Sequence, residues 1–420
     1  MAINPYSLTI LITLSVAFGL DVASNLLNLR ALRFEVPPAL AGVYPPDKYR
    51  QSQEYTSAAT RFGLVSATFR LAVLLAFWFA GGFNELDQVV RGWGYAPIVN
   101  GLLYTGILGL SYSALMLPFS AYATFVLEGR FGFNRTTPGT FVMDKVKGLV
   151  LAVLLGAPLL AGILALFEYT GRYAWLYCWV AITLFTLVVQ FVAPVWIMPL
   201  FNKFTPMTDN ALKESILKYA RSVGYEVNNV YVMDGSRRST KSNAFFTGFG
   251  RTRRIALFDT LIAQHTAPEL VAVLAHEIGH YKKKHVPQGM VISILHTGIV
   301  FFLLSVFLGS AGLFQAFRME QPSIYTGLLF FGLLYTPLEV LVSIWLQMLS
   351  RRNEYQADRF AAVTIEEPRS LADALKKLSA SNLSNMTPHP FYVFLNYSHP
   401  PLLQRVQAIE RHAEQRSHMA

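Results

Sequence analysis

His276-Glu277-Ile278-Gly279-His280 closes a run, 267–275, that reads as a helix (Ala-Pro-Glu-Leu-Val-Ala-Val-Leu-Ala). Residues four apart on a helix share one face, one turn apart, so the two imidazoles can hold a single metal ion. The glutamate between them sits beside that ion and can take a proton from a water the ion activates. Catalytic zinc usually has three protein ligands and one open position. The best third ligand is Glu354, in Asn353-Glu354-Tyr355-Gln356-Ala357-Asp358. Asp358 follows four residues later on the same face. One carboxylate can then bind the ion while the other accepts the free N–H of a ligand imidazole. Alone, such a pair is an ordinary solvated helix face; beside an H-E-x-x-H it completes a site.

The setting is a membrane. Of 420 residues, 53% are hydrophobic and 14% charged, which is too apolar for a soluble enzyme. A single cysteine, Cys178, excludes an internal disulfide and a Cys-rich metal site, leaving His and carboxylate as ligands. The net charge of +10 is assigned to membrane-flanking loops, and no nucleic-acid partner is expected.

Seven apolar stretches reach the roughly 20 residues a bilayer demands: 8–29, 64–83, 99–127, 149–167, 175–201, 291–314 and 325–349. The first lacks a basic flank and a clear cleavage site and reads as a retained span. Basic residues crowd alternate loops: Arg30, Arg33, Lys48, Arg50 and Arg61 after span one, then Arg130, Arg135, Lys145 and Lys147 after span three. The segments after spans five and seven are also basic. The loops between carry Arg91, Arg172 and Arg318. By the positive-inside pattern the N-terminus lies outside, and the polar segments and C-terminus are cytoplasmic. The expected division is 1–201, spans one to five; 202–286, a zincin segment with the motif helix; 287–349, spans six and seven; and 350–420, which brings the third zinc ligand.

Within the first polar segment, Thr208-Asp209-Asn210 caps an expected helix at 211–223. Val230-Tyr231-Val232-Met233 reads as a strand, and Asn243 to Phe249 with Arg254 to Phe258 as a hairpin. The expected fold is therefore an all-α polytopic membrane protein carrying a small α+β zincin domain. Among the remaining histidines, His399 precedes a helix with Arg405, and together they could hydrogen-bond an oxyanion. His285 and His296 read as structural; His265, His389, His412 and His418 as surface or loop residues. Asp21 and Glu339 lie within spans, where charge is costly.

Taken in order, these stretches resemble the type I CAAX prenyl proteases, integral-membrane zinc metalloproteases of the gluzincin kind. The further landmarks are Lys48-Tyr49-Arg50-Gln51-Ser52-Gln53-Glu54-Tyr55, Glu128-Gly129-Arg130-Phe131-Gly132-Phe133-Asn134-Arg135-Thr136-Thr137-Pro138, Ser242-Asn243-Ala244-Phe245-Phe246-Thr247-Gly248 and Ser398-His399-Pro400-Pro401 to Arg405. Phe246 departs from a tyrosine common in the family. The resemblance implies seven tilted helices forming a barrel around a chamber, with one Zn2+ facing it near the cytoplasmic side. It implies His276, His280 and Glu354 as ligands, Glu277 as general base, Asp358 behind the ligands, and His399 and Arg405 near the oxyanion. The substrate peptide would add as a strand along Asn243, Ala244 and Phe245.

The function so implied is removal of the last three residues of prenylated CAAX proteins or peptides. A quality-control protease for membrane proteins, without prenyl recognition, is the alternative. A seven-span metal transporter would put its ligands near the midplane, whereas these lie outside the spans. The chain ends at Arg416-Ser417-His418-Met419-Ala420 without a dilysine retrieval signal. A bacterial inner membrane or the endoplasmic reticulum is accordingly expected.

Overall fold

The computed structural model describes residues 4–36, 45–208, 210–227, 229–247 and 254–419. The chain opens with α1 (Pro5–Ala31), α2 (Pro46–Phe79), the short α3 (Gly82–Gly92), α4 (Pro97–Arg130), α5 (Pro138–Tyr169) and α6 (Gly171–Leu200). Next come β1 (Phe204–Pro206), α7 (Asn210–Ser222), β2 (Asn229–Met233), β3 (Ala244–Thr247), β4 (Arg254–Phe258), α8 (Asp259–Gln264) and α9 (Ala267–Lys282). The remainder is α10 (His285–Phe307), α11 (Ala311–Ala316), α12 (Ile324–Thr364), α13 (Arg369–Ser381), α14 (Pro390–Asn396) and α15 (Leu402–Met419).

Helices α1, α2, α4, α5, α6, α10 and α12 are long and apolar enough to cross a bilayer. Pro5, Pro46, Pro97 and Pro138 open four of them, a position where the missing N–H costs nothing and the fixed φ already suits a helix. No more than 22% of any span's apolar window is buried, so most of these side chains are left to face lipid or a lumen. What packs them is aromatic: Trp78 stacks on Phe317 at 4.6 Å and Phe317 on Phe330 at 3.8 Å. An apolar cavity of about 770 Å³ runs between α2, α4 and α12, lined by Phe69, Leu74, Leu108, Tyr325 and Leu329 among others.

The expected end of span seven at 349 is only where charge begins. The helix itself runs on to Thr364. At 1.5 Å per residue its 41 residues make a rod of roughly 60 Å, about twice the hydrocarbon core. One continuous helix thus carries the last span and Glu354 and Asp358. Lys145 and Lys147, read above as loop residues, lie in the first turns of α5.

The sheet has order β1-β2-β4-β3. β2 and β4 are parallel, while β1 and β3 pair antiparallel with β2 and β4. The β3–β4 hairpin is present; its expected tip at 248–253, and Asp209 of the expected cap, fall outside the described residues. β1 was not foreseen, three residues being too few for an alternating pattern. β3 forms an edge, open on one side among the described residues.

The polar segment has its own core. Leu270, Leu274 and Ile278 line one face of α9 and pack with Leu212 and Ile216 of α7, Ile255 and Leu257 of β4, Ala361 of α12 and Ile365 just past its end. The family landmarks before β3 are ties to the membrane helices. Lys241 Nζ donates to the Tyr55 hydroxyl at 2.8 Å and to Glu128 Oε1 at 3.0 Å, and Tyr55 donates to the same carboxylate at 2.6 Å. On the other flank, Asn382 brackets Ser242: it accepts from the Ser242 N–H and donates to its carbonyl. The start of the edge strand is therefore held from both sides.

Candidate active site

Thr266 precedes helix α9 and its side chain caps the helix, while Glu269 Oε2 accepts the Thr266 N–H at 2.8 Å. This reciprocal pair satisfies two otherwise orphaned donors. Ten residues further on, with Leu270, Leu274 and Ile278 turned into the core, His276 and His280 face α12. Their Nε2 atoms are 3.2 Å apart. Glu354 closes the triangle, with Oε2 3.4 Å from His276 Nε2 and Oε1 3.2 Å from His280 Nε2. One ligand atom from each of the three lies within 4.8 Å of the others.

Behind the triangle, Asp358 Oδ1 lies 2.8 Å from His276 Nδ1. Arg405 donates to both Asp358 oxygens, from Nε at 2.8 Å and Nη2 at 2.7 Å. Its Nη1 is 3.4 Å from Glu354 Oε2. His399 approaches from the open side, Nε2 3.3 Å from Glu354 Oε1, with 63% of its side chain exposed. A cavity of about 360 Å³ beside it is lined by Asn382, Asn385, Tyr397, His399 and Arg405. The larger intramembrane cavity is remote: from Leu333 to Glu354 is roughly 30 Å along α12.

The donor set fits a metal ion. Glu354 Oε2 is buried and has no hydrogen-bond partner, and two imidazole nitrogens converge beside it. The local potential favours a cation. Burial alone would lower the His276 imidazole, yet the adjacent Asp358 and Glu354 carboxylates outweigh it and raise it to about 9. Glu277 is partly buried and has no hydrogen bond or ion pair among the described residues. Burial pushes its carboxyl above the usual range, with His276 and His280 opposing.

Two adjacent stretches match family models: one described as CAAX prenyl protease N-terminal, five membrane helices, over 25–203, and one as Peptidase family M48, over 206–413. The chain is 36% identical to the CAAX prenyl protease 1 homolog of Arabidopsis thaliana, covering 97% of this chain and 98% of the relative. It is 34% identical to CAAX prenyl protease 1 of Saccharomyces cerevisiae, over 91% and 90%. It belongs to the CAAX prenyl protease family of M48 peptidases. The crystal structure of S. mikatae Ste24p superposes with a TM-score of 0.92 at 32% identity, covering 97% of this chain and 100% of that one. The protein is thus a multi-pass membrane metalloprotease, and the transporter reading falls.

The structure gathers His276, His280, Glu354, Asp358, Arg405 and His399 into one cluster. Asn243 leads into the edge strand formed by Ala244 and Phe245, which packs on α9. Asp21 and Glu339 are elsewhere: Asp21 accepts from Asn25 at 2.9 Å, and Glu339 lies 3.5 Å from His296. His265, expected on the surface, is buried, its ring nitrogens 3.0 and 3.3 Å from the carbonyls of Leu261 and Ala374. Two contacts were only faintly signalled in the sequence. His285 reaches back to His280, and Gly279 meets Ala357 where α9 crosses α12. The only hints were a third histidine five residues after His280 and a glycine in mid-helix.

Proposed function

We propose that this metalloprotease uses one zinc ion, held by His276, His280 and Glu354, to remove the C-terminal tripeptide of prenylated CAAX proteins or peptides. The observation that carries the reading is the two-histidine, one-carboxylate triangle at the C-terminal end of a membrane-spanning helix, in a chain that matches CAAX prenyl proteases along nearly its whole length. Zinc, when bound, supplies Lewis-acid chemistry that makes water a nucleophile near neutral pH and polarises the scissile carbonyl.

The chain's own groups do the rest. Glu277, without a hydrogen-bond partner among the described residues, takes the proton of the attacking water and passes it to the leaving amine. His399 stands on the open side, where an N–H can meet the developing oxyanion. Arg405 is occupied by Asp358 and Glu354, so its part is to hold both carboxylates and add positive potential. Asp358 keeps the His276 Nδ1–H engaged, leaving Nε2 as the ligand atom. The substrate backbone pairs with the open edge of Asn243, Ala244 and Phe245. In this reading the four-part division given above holds, the N-terminus is outside, and both catalytic segments are cytoplasmic.

The test is a farnesylated CAAX peptide beside its unlipidated twin, offered to the purified protein in detergent. Cleavage before the last three residues of the lipidated peptide alone is expected. Equal cleavage of both would overturn prenyl specificity and leave a membrane-protein quality-control protease.

A further inference from the structure

His285 is the first residue of α10 and belongs to no part of the mechanism above. It is nonetheless 8% exposed and both its ring nitrogens are engaged. Nδ1 lies 3.0 Å from His280 Nδ1, and Nε2 lies 3.0 Å from Gln356 Oε1. The contact exists because α9 stops abruptly. Lys284 adopts φ 61°, a left-handed conformation that reverses the chain and brings His285 over the last turn of α9. The two rings meet edge to face, centroids 5.0 Å apart.

With Gln356 Oε1 facing His285, as the structure has it, the tautomers of the pair follow. The carbonyl oxygen of the Gln356 amide can only accept, so His285 Nε2 carries the hydrogen. A neutral His285 then offers Nδ1 as an acceptor. His280 must fill that contact with its own Nδ1–H, which leaves the His280 Nε2 lone pair directed at His276 and Glu354. With the Gln356 amide reversed, its N–H would donate to His285 Nε2, and His285 Nδ1 would carry the proton. His280 would then be driven to the Nε2–H form, which cannot ligate a metal through Nε2.

We infer that His285, set by Gln356, is a positioning residue that fixes the tautomer and ring orientation of His280 for metal binding. His280 is thus matched to a neutral imidazole as His276 is matched to the Asp358 carboxylate. Both ring nitrogens of His285 are in use, so it is not a fourth ligand. The inference rests on the reading of His280 as a ligand.

The experiment measures zinc affinity of the full-length protein in detergent by chelator competition, with cobalt(II) absorption as a report on ligand geometry. His285→Ala is expected to weaken binding by roughly 10- to 100-fold, the usual effect of losing such a partner. His285→Asn puts an amide oxygen near the Nδ1 position and is expected to stay within about threefold of the parent. Gln356→Glu keeps an acceptor and is expected to bind like the parent. Gln356→Lys offers only a donor and is expected to fall with His285→Ala. Thermal unfolding of the apo proteins separates lost folding from lost positioning. Parent-like affinity and cobalt spectrum in His285→Ala would overturn the inference, as would equal losses in His285→Asn and His285→Ala. If His280→Ala itself binds zinc like the parent, the ligand assignment fails instead.

Discussion

Gly279 lies so close to Ala357 that a Cβ on the glycine would stand 3.0 Å from the Ala357 Cα and 3.1 Å from its carbonyl oxygen. This is where the motif helix crosses the long membrane rod, one residue from His280 and three from Glu354. The near contact of two backbones lets imidazoles on one helix reach a carboxylate on the other. Gly279→Ala gains about 1 kcal/mol in helix propensity, but the obstacle is backbone and cannot swing aside. Overpacking of this kind costs about 1–3 kcal/mol. Zinc affinity and kcat/KM are expected to fall by roughly tenfold or more in Gly279→Ala and further in Gly279→Val, in line with that cost. Chelator competition and peptide kinetics read both. Unchanged zinc affinity in Gly279→Val would show that the crossing does not set the triangle.

Arg405 and Asp358 form a bidentate pair with side chains 9% and 1% exposed. Removing one partner of a buried pair strands a charge and costs about 3–5 kcal/mol. Arg405→Ala is therefore expected to lower the thermal midpoint sharply, since it leaves Asp358 facing Glu354 unneutralised. Lys218→Ala, which breaks an ion pair whose partners are 79% and 90% exposed, is expected to change stability by at most about 1 kcal/mol. Comparable midpoints for the two variants would contradict this.

Glu269 connects the motif helix to α13 through Lys377 Nζ at 2.7 Å, as well as accepting the Thr266 N–H. Burial works against its charge, but these two partners outweigh burial and hold the carboxyl below its usual range. A carboxyl whose folded pKa is depressed contributes stability above its unfolded pKa and loses it as pH falls through the folded value. Glu269→Gln is expected to cost about 1 kcal/mol at neutral pH. The gap to the parent should close as pH drops below the ordinary carboxylate range. Urea or thermal unfolding across pH 3–7 checks it, and a gap that widens in acid would reverse the sign.

Much of this molecule can be read from its sequence because the relevant signals are local. His276 and His280, like Glu354 and Asp358, declare themselves by a four-residue spacing, and the spans by uninterrupted apolarity. Other features depend on contacts between distant segments. The partner of Gly279 is 78 residues away, and that of His285 is set by a reversal at Lys284 that no turn residue announces. Span seven was cut at the first charges because charge marks the bilayer boundary, whereas α12 ends only at Thr364. β1 exists because β2 offers it an edge, not because its own three residues favour a strand.

The central claim is that Glu277 moves the proton while His276, His280 and Glu354 hold the ion. It is tested by comparing the parent with Glu277→Gln in one preparation, measuring zinc per chain and the rate of cleavage of a farnesylated CAAX peptide. The account predicts one zinc per chain in both proteins and a rate lowered by roughly 10²- to 10⁴-fold in the variant. A Glu277→Gln protein that retains its zinc and cleaves at the parent rate would contradict it.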